Sequence, residues 1–253
     1  LRRNKRIKDK KSKKRVAISY RFIKEGEKWY VHVTLKLKQP EIISIKKSGV
    51  IAVDINVDHL AVVETNHCGN MVSHHVFPCD TRHKTANQRE AIIGDAVKEV
   101  LALAVKTKKE IVIEDLDFDA KKARSDLFGV RYNRMLSSFA YNYIKDLIYS
   151  RAFDAGILVG KVNPAYTSLI GYHKFARRYG ISRHQAAAFC IGRRFQGFRE
   201  SMPSQLRVTL PESARKKVRH VRGMWVLLSR RTTAHEVPGE SGIKPGSILA
   251  PAG

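Results

Sequence analysis

The chain has 253 residues with 48 Lys and Arg against 23 Asp and Glu, a formal net charge of +25. Hydrophobic residues make up 43%. That is enough to build a core and excludes a wholly disordered chain. No apolar run approaches the roughly 18–20 residues that span a bilayer, and no basic helix with a broad apolar face marks a membrane surface. The positive excess therefore points to nucleic acid, where each phosphate contact releases condensed counterions. Three cysteines, Cys68, Cys79 and Cys190, form no CxxC pair. Neither a disulfide framework nor a zinc ribbon is expected, and reduced, cytoplasmic thiols are.

The chain starts at Leu1 without Met or an apolar leader, which reads as an interior point of a longer protein. Residues 1–15 are expected to form a basic linker. Val16–Phe22 and Trp29–Leu35 are β-rich around Glu25-Gly26-Glu27, a hairpin pattern belonging to an incomplete N-terminal domain over 16–46. The main domain is placed at 47–202. Gly49–Ile55, Leu60–Glu64 and Met71–Phe77 read as three strands of an antiparallel meander. Ile92, Ile93, Ala96, Val97, Val100, Leu101, Ala104 and Val105 recur at helical spacing. Glu110–Glu114 is a buried-type strand, and Leu136–Ile148 carries a second amphipathic helix. Gly156–Val162 is a fifth strand. Ser182 caps a last helix, with Gln185 placed to close a capping box. Residues 203–253 are expected to be a basic, largely irregular tail holding a short apolar stretch at Met224–Leu228.

The order βββαβαβα requires helical crossovers to the last two strands, hence parallel pairing there and a mixed five-stranded sheet flanked by helices. Asp54 and Glu114 each close a buried strand. If those strands are parallel neighbours, both carboxylates emerge at one edge, where open α/β sheets place their sites. Two such acids repel each other unless a hard divalent cation is shared between them. Two metals about 3.5–4 Å apart would support phosphodiester hydrolysis.

Gly49-Val50-Ile51-Ala52-Val53-Asp54-Ile55-Asn56-Val57-Asp58-His59-Leu60-Ala61 resembles the first RuvC motif of the OrfB/TnpB family of insertion-sequence, transposase-associated proteins. Ile111-Val112-Ile113-Glu114-Asp115-Leu116-Asp117-Phe118 resembles the second, and Val162–Ser168 the entry to the third. Ser182-Arg183-His184-Gln185-Ala186-Ala187-Ala188 stands where the third motif falls. The likeness runs from about residue 16 to 200. It implies an RNase H-like (RuvC-like) nuclease related to type V CRISPR effectors, which cuts DNA with Mg²⁺ (Mn²⁺ as substitute) under a guide RNA from the same element. The family's catalytic Asp and Glu fall on Asp54 and Glu114, and its third acid falls on His184. Imidazole brings no negative charge and is a poorer Mg²⁺ ligand than carboxylate. Leu169–Ile181 has no cysteine, so the family's zinc ribbon is not carried over and a ribbon-less branch is the match.

The expected site is thus Asp54, Glu114 and His184, as catalytic and metal-holding residues. Lys121, Lys122, Arg124, Arg131, Tyr132 and Arg134, in a basic segment read as a loop, flank it together with Arg177, Arg178 and Arg183. They are candidates for backbone contact, with Tyr132 placed to stack a base. Asp58 is read as a turn former and Asp115 as a cap or the partner of a base. The alternatives are an RNA-guided DNA-binding protein that no longer cleaves, and the relic of a decayed element.

Overall fold

The computed structural model describes residues 18–35, 40–45, 47–116 and 128–235; side chains are described from 140 in the helix that starts at 128 and up to 231 in the last helix. The chain divides into two units, Leu1–Glu41 and Ile42–Gly253. In the first, β1 (Ile18–Glu25) pairs antiparallel with β2 (Lys28–Leu35) through a turn at Gly26, whose φ of 60° suits glycine.

The second unit is built on one sheet. β3 (Val50–Ile55), β4 (His59–Thr65) and β5 (Met71–Pro78) form the antiparallel meander. β6 (Glu110–Glu114) lies parallel to β3, and β7 (Val159–Val162) parallel to β6. The order across the sheet is β5-β4-β3-β6-β7. This is the mixed, helix-flanked five-stranded sheet expected of an RNase H-like core.

The sequence explains which strands are central. Val50–Val53, Leu60–Val63 and Ile111–Ile113 are unbroken apolar runs, and all are buried on both faces. β5 alternates in exposure, as an edge strand covered on one face does. Side chains alternate along a strand. Ile51, Val53, Ile111 and Ile113 pack on one face against α1 (Ala86–Thr107) and α2 (Phe128–Ala155). Val50, Ala52 and Val112 pack on the other with Ile191 of the helix Arg183–Phe195, α5. Between β7 and α5 the chain forms α3 (Thr167–Gly171), a π-helical turn (Tyr172–Ala176) and α4 (Arg177–Tyr179). α5 (Arg183–Phe195) starts in the capping box its sequence announced. The Gln185 amide N–H donates to Ser182 Oγ at 3.2 Å, and Ser182 N–H donates to Gln185 Oε1 at 3.0 Å.

Two sequence expectations differ from the structure. α2 begins at Phe128, eight residues before its apolar face becomes regular, so the stretch containing Arg131, Tyr132 and Arg134 is helical rather than loop. Gly129 sits in the first turn, where its low helix propensity weighs little, and no proline follows. The stretch after 203, expected to be largely irregular, carries α6 (Ser204–Arg207), α7 (Glu212–Lys216) and α8 (Val221–His235). Met224, Trp225 and Leu228 of α8 join a core with Phe175, Ile181 and Phe189. Trp225 Nε1–H donates to Glu200 O at 2.7 Å. Few apolar residues on α8 are enough, because one of them is a fully buried tryptophan.

Trp225→Ala removes that anchor. Equilibrium urea denaturation is expected to show a loss of about 3–5 kcal/mol, the range for deleting a buried aromatic side chain.

Candidate functional site

Strand periodicity decides where the two acids go. Asp54 follows Ala52 by two residues, and Glu114 follows Val112 by two. Both therefore share the α5 face of the sheet. They stand one residue beyond Val53 and Ile113, the last positions paired between β3 and β6, and so are neighbours at the strand ends. His184 is the second residue of α5 and reaches the same edge.

His184 Nδ1 lies 3.2 Å from Asp54 Oδ2. An ionised carboxylate only accepts, so Nδ1 carries the proton and Nε2 is the basic nitrogen of the neutral ring. The Asp54 side chain is 12% exposed and that of His184 47%. Asn56 Nδ2 donates to the same Oδ2 at 3.1 Å and to Asp54 O at 3.2 Å, closing the strand end on itself. Burial pushes the Asp54 carboxyl above the ordinary carboxylate range, against the Asn56 and His184 hydrogen bonds, which pull it down.

A second carboxylate–imidazole pair adjoins the first. His59 Nδ1 lies 2.6 Å from Asp58 Oδ1, and this bond holds the Asp58 carboxyl below its usual range. The His59 and His184 rings meet edge to face with centroids 4.9 Å apart. The turn before β4 is closed by Asn56 N–H, which donates to His59 O at 3.0 Å, and Cys79 N–H donates to Asp58 O at 2.8 Å, extending the β4–β5 pairing. Glu114 is held by the segment after β7. Thr167 Oγ1 contacts Glu114 Oε1 and lies 2.9 Å from Pro164 O. A hydroxyl has one proton, so Thr167 serves one of these acceptors at a time. Tyr141 Oη donates to Glu114 O at 2.6 Å. Asp115 pairs with Lys161 Nζ at 3.2 Å, as its reading from sequence expected.

The structure thus brings Asp54 and His184 into contact and sets Glu114 beside them on the neighbouring strand. Asn56, His59 and Thr167 were not singled out in the sequence. The signal was present for Asn56 and His59, both inside the first motif, and for Thr167, inside the Tyr-Thr-Ser segment.

Two carboxylates and an imidazole are donors that suit a divalent cation in kind. They do not fit one as placed. Among the described residues, no group of three or more His, Cys, Asp or Glu side chains is set to hold a metal ion. Glu114 is engaged by Thr167, and Asp54 by Asn56 and His184.

Arg177, Arg178 and Arg183 are exposed. The Arg183 guanidinium lies 5.8 Å from the Tyr172 ring centroid and that of Arg178 5.6 Å from Tyr179. Lys121, Lys122 and Arg124 lie outside the described residues, as do the side chains of Arg131, Tyr132 and Arg134 on α2. No helix among the described residues is long and apolar enough to cross a membrane.

No protein-family model matches the chain, and no curated protein matches it. Among solved structures, RuvC of T. thermophilus in complex with a Holliday junction substrate superposes with a TM-score of 0.41 and 17% identity, over 58% of this chain and 93% of that one. An overlap this loose assigns neither family nor activity.

The raised Asp54 carboxyl fixes the sign of a stability effect. The folded state binds this proton more tightly than the unfolded chain, so the contribution is favourable in acid and is lost as pH rises through the folded-state value. Asp54→Asn keeps an acceptor for His184 without the buried charge. Thermal melts are expected to show the variant more stable than the parent at neutral pH, the difference closing as pH falls through the carboxylate range.

Proposed function

We propose that this chain is the core of a nuclease-type protein that binds DNA along the Asp54–Glu114–His184 edge and hydrolyses phosphodiester bonds there. The observation that carries this is the contact between His184 Nδ1 and the buried Asp54 carboxylate, beside a second strand-end carboxylate, in a chain of net charge +25. Asp54 holds the ring in one tautomer and orientation. Nε2 of the half-exposed ring then accepts a proton from water, and Asp54 stabilises the resulting imidazolium. Arg183, next to His184, and Arg177 and Arg178 supply positive charge for the DNA backbone. The donors do not converge on a metal ion as placed.

The OrfB/TnpB-like form of this reading adds a guide RNA from the same element that selects the DNA. Its support is the resemblance of the three motif segments. The binding-only reading draws on a specific observation, the lack of a three-ligand cluster among the described residues.

Plasmid nicking by the purified chain, with and without Mg²⁺ or Mn²⁺, separates the two. Nicking is expected in the parent, and Asp54→Ala and His184→Ala are each expected to lower its rate at least about 10²-fold, the lower end for losing a general base or its orienting group, with DNA retention on a filter unchanged. DNA retention with no nicking in the parent under any of these conditions would leave the binding-only reading.

A further inference from the structure

A cavity of about 720 Å³ opens between the end of β7, the segment after α5 and the first turn of α8. Its volume suits a small ligand, for which pockets of roughly 300–1,000 Å³ are usual. Four arginines line it: Arg194, Arg199, Arg219 and Arg222. Tyr166 and Phe198 contribute rings. The lining acid is Glu200, and its carboxylate is held by Lys174 and Arg193, so it does not neutralise the four arginines. Arg194 donates to Asn163 O. Among the described residues, Arg199, Arg219 and Arg222 form no salt bridge; the Arg222 guanidinium lies 5.9 Å from the Tyr166 ring centroid. The 15-residue α8 also starts here, at Val221, and its first backbone N–H groups add positive potential.

Guanidinium groups gathered in a cavity without carboxylate partners call for an anion, and their planar fork suits phosphate. The position says which phosphate. Tyr166 lines the cavity, and the next residue, Thr167, contacts Glu114. The residue that lines the cavity and the residue that touches Glu114 are thus neighbours in the chain, which ties the cavity to the segment beside the Asp54–Glu114 edge. The geometry points to a binding site for one nucleotide of a nucleic-acid strand. Arg199, Arg219 and Arg222 take its phosphate, and Tyr166 offers the ring on which its base stacks. This rests on the proposed nucleic-acid function for the source of the phosphate, and on the cavity itself for the capacity to hold one.

The test uses the full chain in EDTA, so that binding is read without turnover. In a Trp29→Phe background, Trp225, which lines the cavity, is the remaining tryptophan and reports occupancy. A labelled single-stranded oligothymidylate is titrated at several salt concentrations. Saturable change in Trp225 fluorescence is expected along with anisotropy. Arg219→Gln/Arg222→Gln is expected to weaken binding about tenfold or more at low salt. It should also flatten the slope of log K against log salt by up to about 0.7, the value for one phosphate contact on a single strand. Arg222→Lys keeps the charge and should keep the slope. If the double variant melts early, each single Gln variant is read instead, with a smaller loss of affinity and slope in the same direction. Unchanged affinity and slope in correctly folded Gln variants would overturn the site. A singly phosphorylated peptide that binds as tightly as the oligonucleotide would overturn its assignment to nucleic acid. Asp54 and His184 are intact in every arm, so failure of the hydrolytic reading shows in the nicking assay and not here.

Discussion

The close seat of α5 on the sheet is the constraint from which the candidate site follows. A Cβ added at Gly192 would stand 3.0 Å from Ala52 Cβ and 3.2 Å from Val50 Cγ2, so helix and strand approach about as nearly as small residues permit. Ala186, Ala187 and Ala188 carry the same logic toward the N-terminus of the helix, all of them buried. From the other side, a Cβ at Gly171 would meet Ala186 O at 2.5 Å, so the segment after β7 is pressed against α5 as closely. With the helix pinned at this depth and its start fixed by the Ser182–Gln185 capping box, His184 is set beside Asp54, and its ring meets Asp54 Oδ2. Thr167 is set by the same packing, at the start of the segment that ends against Ala186, and it reaches Glu114.

Much of this was legible because it rests on period and pairing. Apolar runs marked β3, β4 and β6 as central. Helical crossovers required parallel pairing of the last two strands, and with β3 and β6 as neighbours Asp54 and Glu114 would emerge at one edge. What was not legible depends on side-chain direction and on distant partners. Nothing local shows that Asn56 turns back onto Asp54, that His59 meets His184 across 125 residues, or that Thr167 takes Glu114. α8 was missed for a related reason. Its apolar residues are few, and their partners Phe175 and Phe189 lie about 40–50 residues earlier, so the local pattern is weak where the packing is strong. The early start of α2 was hidden because its first turns carry charged residues and a glycine without apolar periodicity.

Electrostatics divides the second unit between two kinds of site. At the strand ends, negative charge is gathered and buried, and burial raises the Asp54 carboxyl. Beyond β7, positive charge is gathered around a cavity, and the acid that lines it is held by Lys174 and Arg193. A polyanion is drawn to the second and has to be brought to the first. Tyr166, which lines the cavity and is adjacent to Thr167, links the two regions.

The central claim is the Asp54–His184 contact, and nitrogen-15 NMR of the His184 ring measures it directly. In the neutral ring the account predicts a proton on Nδ1 in the parent and a shift toward the Nε2–H form in Asp54→Ala. An Nε2–H ring in the parent, unchanged by Asp54→Ala, would contradict it.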